Sequence, residues 1–274
     1  LMNGSSRSIA IKKNIIASLF LKSISILVSL QVVPLTINYI NPTRYGIWLT
    51  LSSIVAWLSY FDLGFAHGFR NRFAEAVAKG DMQLAREYVS TTYVVLSLLF
   101  SGVFLIAIVV NHFVDWSAIL NVDAAYSSEL NIVFGILAFF FCLNIVASIF
   151  TTMLTANQKP ALASLIQTLG QVFGFICIYV LTKTVPGNLD VLAFAFSGVP
   201  CFLLIIISIG MFLSGRYRHL SPSFHFVHFS LTKKIVGLGG QFFIIMISML
   251  FVFQLINIVI SRVAGPMAVT QYNL

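Results

Sequence analysis

The stretch KKNIIASLFLKSISILVSLQVVPLTINYINPTRYGIW, residues 12–48, decides the fold of this chain. It opens with a lysine pair, continues through the mostly apolar residues 14–40, and ends in a turn at Asn41 and Pro42. About 20 apolar residues in a helix cross the roughly 30 Å hydrocarbon core of a bilayer. The stretch therefore predicts a membrane-spanning helix. It is too long for a signal-peptide core, and no small-residue cleavage pattern follows it.

The composition extends this prediction to the whole chain of 274 residues, of which 59% are hydrophobic and 9% charged. Soluble domains carry about 25% charged residues, so the surface of a soluble fold of this size would lack charge. The mean hydropathy of +0.97 points to lipid as the solvent. A soluble enzyme, a nucleic-acid-binding domain and a disulfide-rich secreted scaffold are therefore disfavoured.

Seven apolar segments are long enough to cross a membrane as helices, and none shows the two-residue alternation of a barrel strand. They lie at about 14–40, 45–66, 88–110, 130–154, 161–182, 189–213 and 235–260. The sequence thus predicts an all-α, multi-pass membrane protein.

The basic residues alternate between the predicted loops, and this alternation predicts the orientation. One set of helix ends carries twelve of the sixteen basic residues: Arg7, Lys12, Lys13, Arg70, Arg72, Lys79, Arg86, Lys159, Arg216, Arg218, Lys233 and Lys234. The other set carries Arg44, Lys183 and Arg262. We therefore expect a cytoplasmic N-terminus. The net charge of +8 becomes a topology signal and indicates no nucleic-acid partner.

Residues 233–272 resemble residues 12–48 at an offset of roughly 221–224. Both stretches open with a lysine pair and end at a turn with proline, Asn41-Pro42 in one and Gly265-Pro266 in the other. Parallel repeats of six-span halves are typical of transporters. We expect residues 1–214 to form a six-helix bundle. Residues 215–274 would contribute a linker, the seventh span and the entry to an eighth. The chain would be a fragment of a protein of about 440 residues, twice the repeat offset.

A narrow polar stripe runs along the first predicted helix through Ser18, Lys22, Ser25, Ser29 and Thr36. At 100° per residue these positions lie within about 60° of one another. An ionisable residue inside a membrane is costly and usually faces a cavity or a partner. Lys22 is therefore a candidate to attract a phosphate or diphosphate. Alternatively, it snorkels to the headgroups.

Other polar residues in the spans are candidates for the same path. Pro34 would act as a hinge in the first helix, since proline removes a backbone hydrogen bond and kinks a helix. Asp62 could be an interfacial carboxylate paired with Arg70 or Arg72, or it could form a gate ion pair or a proton or cation site. The whole candidate translocation path consists of Lys22, Ser25, Ser29, Thr36, Asp62, Arg70, Asn144, Gln167, Gln171, Gln254 and Asn257. Serine and threonine also bond their own helix backbone, which is the alternative for spans four and five.

Catalytic and cofactor motifs are missing from the sequence. It contains no GxxxxGK[ST], HExxH or GxSxG pattern, and its three cysteines lie far apart in apolar runs. His225 and His228 stand three residues apart without a carboxylate or thiol neighbour, so we expect no metal site there. We expect no cofactor and no enzyme activity.

The sequence resembles the polysaccharide-transporter branch of the multidrug/oligosaccharidyl-lipid/polysaccharide (MOP) exporter superfamily. The members of this branch are bacterial inner-membrane flippases. Four motifs carry the resemblance: Tyr45-Gly46-Ile47-Trp48, Phe61-Asp62-Leu63-Gly64-Phe65, the basic loop from Arg70-Asn71-Arg72 to Ala78-Lys79-Gly80-Asp81, and Ala156-Asn157-Gln158-Lys159. The resemblance implies a MATE-like fold of two six-helix bundles around a central cavity.

The resemblance also implies a substrate and a route. An undecaprenyl-diphosphate-linked oligosaccharide, the repeat unit of O-antigen, capsule or exopolysaccharide, would cross from the cytoplasmic to the periplasmic leaflet by alternating access. The implied partners are the lipid bilayer, this lipid-linked saccharide and other polysaccharide-assembly proteins. Cavities in such flippases tend to be cationic, and Lys22 matches the expected place in the first helix.

Three other functions remain open. A cation-coupled multidrug antiporter of the same superfamily would use intramembrane carboxylates, and Asp62 is the single acid near a span. A membrane glycosyltransferase or polymerase acting on the same lipid would need acids or arginine clusters in a large outside loop, and the 111–129 loop has Asp115 and Asp123 but no arginine. A passive scaffold would leave the cost of Lys22 unexplained.

Overall fold

The computed structural model describes residues 4–56, 64–237 and 255–273. Within those ranges the chain is helical with short turns, and no strand occurs. The prediction of an all-α fold is confirmed.

The helices follow one another with short connections. Their bounds are α1 Gly4–Ile40, α2 Pro42–Ala56, α3 Phe65–Ala78, α4 Met82–Phe113, α5 Trp116–Leu120, α6 Ser127–Ala147, α7 Ile149–Ala156, α8 Pro160–Thr184, α9 Leu189–Leu213, α10 Leu255–Ala264 and α11 Pro266–Asn273. Residues 230–237 are also helical, ahead of the undescribed segment 238–254.

Five described stretches are long and apolar enough to cross a membrane: Asn14–Ile40, Met82–Phe113, Ala124–Ala156, Pro160–Thr184 and Leu189–Leu213. Each overlaps one of the predicted spans. The other two predicted spans, 45–66 and 235–260, run into residues 57–63 and 238–254, which lie outside the described residues. The division of the chain at residue 214 into two bundles stays a prediction.

Local sequence explains how the helices begin and end. Gly80 has a φ of 77°, a left-handed conformation that costs glycine little, and α3 ends just before it. The Asp81 carboxylate then accepts a hydrogen bond of 2.9 Å from the Leu84 N–H and caps α4. Glycine followed by aspartate is a sequence pattern that ends one helix and caps the next. Asp115 and Asn188 cap α5 and α9 in the same way.

Contacts between residues that are far apart in sequence show which helix termini lie together at each end of the bundle. At the first, which we name the basic end, Asn14 donates to the Gln158 carbonyl at 3.4 Å and Lys159 donates to the Tyr217 hydroxyl at 3.0 Å. At the other, named the opposite end, Arg44 forms an ion pair with Glu129 at 3.5 Å. The same arginine donates to the Gly187 carbonyl at 3.1 Å. The two ends thus carry the two sets of basic residues that the sequence distinguishes.

Helix α8 packs between α1 and α9. A Cβ at Gly170 would lie 3.2 Å from Cβ of Pro200, and one at Gly174 would lie 3.5 Å from its Cγ. These two glycines therefore let α8 approach α9 closely, as the GxxxG spacing predicts. Close approach on this side leaves the other side of α8 to face α1.

The two repeated turns contact each other reciprocally. Asn41 and Gly265 have φ values of 73° and 82°, and each precedes the proline that begins a helix, α2 or α11. Position 270 of α11 corresponds to position 46 of α2 at the same offset as the two prolines. Thr270 donates through Oγ1 to the Pro42 carbonyl at 2.7 Å.

The matching contact on α2 is steric. A Cβ on Gly46 would lie only 1.8 Å from the Pro266 carbonyl oxygen. The fifth residue of each helix, Gly46 in α2 and Thr270 in α11, thus contacts the carbonyl of the proline that begins the other helix. A two-fold arrangement of this kind is what a parallel repeat would produce.

We predict that Gly46→Ala destabilises the protein, because the added methyl overlaps a backbone oxygen and must push α11 away from α2. Overpacking of this kind costs about 1–3 kcal/mol. Thermal unfolding of the purified protein in detergent measures the effect.

Gly102→Ala provides the matched control, because no atom lies within 4 Å of a Cβ at that helical position. It should leave stability unchanged or raise it by up to about 1 kcal/mol. Equal melting temperatures for the two variants would contradict the reciprocal contact.

Candidate functional site

A cavity of about 350 Å³ lies between α1, α2, α8 and α9. Its polar lining residues are Ser29, Thr36, Tyr45 and Gln171. The remainder of the wall is apolar or glycine: Val28, Val32, Val33, Trp48, Leu49, Gly174, Phe175, Ile178, Phe196 and Pro200. We name this space the large cavity. Mostly apolar walls with a few polar groups are typical of ligand sites.

Parallel packing of α1 on α8 positions the polar stripe. Ser25 donates a hydrogen bond to Oε1 of Gln171, and Thr168 donates to the Leu21 carbonyl at 3.4 Å. The two helices keep the same register to the opposite end, where the Tyr39 hydroxyl donates to the Pro186 carbonyl at 3.2 Å. The structure therefore brings together Ser25, Ser29 and Gln171 of the predicted path.

Thr36 is 1% exposed, and its hydroxyl has no hydrogen-bond partner within the described part of the chain. A buried polar group without a partner costs free energy. Because Thr36 lines the large cavity, its hydroxyl is free to bond a ligand or water there.

A second cavity of about 180 Å³, named the small cavity, lies between α3, α7 and α8 towards the basic end. Its lining comprises Ala66, His67, Arg70, Thr151, Thr152, Thr155 and Gln167. Arg70 is exposed. The threonine hydroxyls donate to carbonyls of their own helical segment, at 2.9 to 3.1 Å. This is the alternative that the sequence left open for span four. These hydroxyls can still accept hydrogen bonds.

The two cavities lie along one face of α8. Gln167 lines the small cavity and Gln171 the large one, and four residues of helix separate them by about 6 Å along the axis. Among the described residues, neither lining includes an aspartate or a glutamate. The side chains that can carry positive charge here are His67 and Arg70. The arrangement therefore suits an anionic or neutral polar ligand better than a cation.

Lys22 lies next to this face. It is exposed, makes no ion pair with the described residues, and stands one turn before Ser25 on the same side of α1. The Leu21–Thr168 hydrogen bond places it within about one helical turn of Gln167 along α8. Lys22 itself lines neither cavity, and its role in a polar path stays a prediction.

The other arginine of α3 is engaged elsewhere. Arg72 forms an ion pair with Glu75 at 3.0 Å and donates to the Lys234 carbonyl at 3.3 Å. The hydrogen bond from Lys79, and then that from Arg72, lowers the pKa of the Glu75 carboxyl from its ordinary value. Glu75 therefore stays ionised and holds both cations. Arg70 is the arginine of α3 that lines the small cavity.

Several predicted path residues lie away from both cavities or outside the described residues. Asn144 is exposed and lines neither cavity. Asn257 is buried and donates to Oγ of Ser53 at 2.6 Å, while its own oxygen accepts from Asn273 at 2.9 Å. It therefore ties α10 to α2 and α11. Asp62 and Gln254 lie outside the described residues.

Helix α1 is continuous from Gly4 to Ile40 and includes Pro34. Proline there removes one backbone hydrogen bond without ending the helix. Pro34 precedes Thr36, so the weakened turn lies beside the large cavity. Its role as a hinge stays a prediction.

The aromatic part of the large cavity was not predicted from the sequence. Tyr45 and Trp48 are 7% and 3% exposed, and the Trp48 ring meets Phe196 edge to face at 5.1 Å. Aromatic residues near the end of a span resemble interface anchors, which hides such a role. The sequence signal for this role was the motif Tyr45-Gly46-Ile47-Trp48, which we used only as evidence of the family resemblance.

Comparisons with known proteins agree with this architecture. A family model described as "Polysaccharide biosynthesis protein" matches residues 11–274. No curated protein matches the sequence. A solved structure described as the inward-facing conformation of a multidrug resistance MATE family transporter of the MOP superfamily has the same fold, with a TM-score of 0.63 at 14% identity. The match covers 86% of this chain and 56% of that one, so this chain spans just over half of that transporter.

We predict that a cysteine at Ser29 reacts with a charged, water-soluble maleimide, because the exposed Ser29 side chain lines the large cavity. Labelling is measured by mass spectrometry on a variant whose three native cysteines are replaced. Ser208→Cys is the control, since Ser208 is buried in α9. Equal labelling of both positions, or none at Ser29→Cys, would contradict a water-filled cavity.

Proposed function

The chain belongs to the polysaccharide biosynthesis protein family, and from that premise we propose that it transports a polyprenyl-diphosphate-linked saccharide across a bacterial inner membrane. The saccharide would be a repeat unit of O-antigen, capsule or exopolysaccharide. The MATE-like fold supports a multi-pass transporter of the MOP superfamily.

The observation that carries the proposal is the polar face of α8, which has the cationic side chains of Arg70 and Lys22 near its basic end. Gln167 lines the small cavity and Gln171 lines the large one, and the described residues of both linings include no acid. Arg70 lines the small cavity. Guanidinium and ammonium groups bind phosphate oxygens through charge-assisted hydrogen bonds. A diphosphate would meet Arg70 and Lys22 at the basic end, and the sugars would follow along the glutamine and serine side chains.

The proposed direction of transport follows from the charges at the two ends. Lysine and arginine concentrate on cytoplasmic loops, so the basic end would face the cytoplasm and the N-terminus would lie there. The reciprocal contact of α2 and α11 closes part of the opposite end. An entrance on the cytoplasmic side with a closed opposite end is one of the two states that alternating access requires. Pro34 would act as the hinge between them.

A cation-coupled multidrug antiporter is the second candidate, favoured by the fold that the chain shares with a multidrug transporter. It would require a carboxylate in the path, and Asp62 is the residue to test. Asp62→Asn would then abolish drug resistance while Lys22→Ala would leave it intact. The described residues of the two linings include no acid, which favours the saccharide transporter.

We predict that Lys22→Ala lowers surface polysaccharide about tenfold with an unchanged protein level, since a hydrogen bond to a charged group contributes about 1.5–3 kcal/mol. The assay is complementation of a bacterial strain without its own repeat-unit flippase, with polysaccharide and protein quantified by immunoblot. Lys22→Arg should retain most activity, because it keeps the charge.

Lys183→Ala is the matched control. Lys183 is also exposed but lies near the end of α8 at the opposite end, 5.9 Å from the Tyr179 ring centroid. Its removal should leave surface polysaccharide unchanged. Normal polysaccharide in Lys22→Ala would remove Lys22 from the mechanism.

A further inference from the structure

The segment between α9 and residue 230 is a folded structure on the flank of α4. The Arg86 side chain donates to the Ser221 carbonyl at 2.9 Å. The Ser223 N–H donates to Ser90 Oγ at 3.1 Å, and the His228 N–H donates to Thr91 Oγ1 at 3.0 Å. These three bonds hold residues 214–229, which we name the flank loop, against the first turns of α4.

The flank loop and α4 enclose a groove of about 450 Å³. Its lining comprises Ser90, Tyr93, Val94, Ser97, Leu98, Pro222, Ser223 and Phe224. The groove lies in the first half of the membrane-spanning stretch Met82–Phe113, and the exposed side chains of Leu105 and Ile106 follow along the same helix. One end of the groove is therefore at the basic end and the other points into the depth of the bilayer.

The flank loop, which forms one wall of the groove, is both aromatic and basic. Phe224 is 88% exposed and Phe229 is 62% exposed. Arg216 and Arg218 of the same loop are also exposed, and neither side chain makes a hydrogen bond or an ion pair with the described residues. The whole stretch 214–234 contains no aspartate or glutamate.

Two charged groups on the first turns of α4 are already engaged with the loop. Glu87 on α4 lies 3.7 Å from the ring of His228. The Arg86 guanidinium stacks over the Phe226 ring at 4.2 Å while it holds Ser221. Arg216 and Arg218 are therefore the arginines of this region that are available to an external anion.

We propose that this groove binds an anionic phospholipid of the bilayer, with an acyl chain along Val94 and Leu98 and the phosphate headgroup at Arg216 and Arg218. Basic segments next to a span are attracted to anionic lipid headgroups, and aromatic side chains favour the same depth. A mostly apolar groove, with exposed arginines in the loop that forms one of its walls, matches both parts of such a lipid. The site is separate from the transport path, since α4 lines neither the large nor the small cavity.

The test measures acyl-chain contact directly. Phe224→Trp introduces a fluorophore at the rim, and the purified protein is reconstituted in vesicles containing phosphatidylglycerol or phosphatidylcholine brominated on the acyl chains. The signal of the parent protein, which carries Trp48, Trp57 and Trp116, is subtracted. We expect quenching at much lower mole fractions of brominated phosphatidylglycerol than of brominated phosphatidylcholine.

Charge removal then identifies the headgroup site. In the Phe224→Trp background, the pair Arg216→Gln and Arg218→Gln should raise the phosphatidylglycerol mole fraction at half-quenching about tenfold. The control pair Lys183→Gln and Arg262→Gln removes the same charge at the opposite end and should leave it unchanged. Thermal unfolding in phosphatidylcholine checks that both pairs fold.

Three outcomes would overturn the proposal. The first is equal quenching by the two lipids, which would show general contact with the bilayer. The second is an equal loss for both charge-removal pairs, which would show dependence on net charge alone. The third is complete loss of the phosphatidylglycerol preference when inorganic phosphate is added, which would identify a free-anion site.

Discussion

The parallel packing of α1 on α8 is the interaction on which the other features of the site depend. It runs from Asn14 and Gln158 at the basic end to Tyr39 and Pro186 at the opposite end. It satisfies part of the costly polar stripe of α1 by giving Ser25 a hydrogen-bond partner in Gln171. Ser29 and Thr36 of the stripe then face the large cavity, which α2 and α9 also line. Glycines 170 and 174 make this possible by letting α8 approach α9 closely on its other side.

The contact of α2 with α11 adds a second constraint, which acts between the two repeated stretches. A glycine at 46 and a threonine at 270 occupy equivalent places, and each meets the first carbonyl of the partner helix. Asn257 strengthens the same junction through Ser53 and Asn273. A close backbone contact of this kind is either formed or broken, which is how packed interfaces convert small shifts into discrete states. A transporter that alternates between two states would have to separate these helices.

Under the two proposals, two faces of the bundle would bind different ligands through similar residue types. Towards the cavities, Arg70 lines a space together with threonine hydroxyls and the Gln167 amide, an environment suited to a hydrated, phosphorylated headgroup. On the flank of α4, Arg216 and Arg218 belong to the same loop as the exposed Phe224 and Phe229, an environment suited to a lipid at the membrane surface. The neighbours of each cation, and not its charge, distinguish the two sites. This explains why a net charge of +8 alone did not indicate any ligand.

The sequence alone determined the helical membrane class and the two sets of helix ends, and its Gly80-Asp81 and Gly170/Gly174 patterns account for a helix stop, a helix cap and a close helix contact. Each follows from a local rule of hydropathy, charge or backbone conformation. Tertiary structure alone decided that Ser25 meets Gln171, that Asn257 bonds Ser53 away from the cavities, and that Tyr45 and Trp48 line a cavity. The physical reason is that helical periodicity assigns a residue to a face of its own helix but not to a neighbour. In lipid the outside of a bundle is as apolar as its interior, so hydropathy does not distinguish the two.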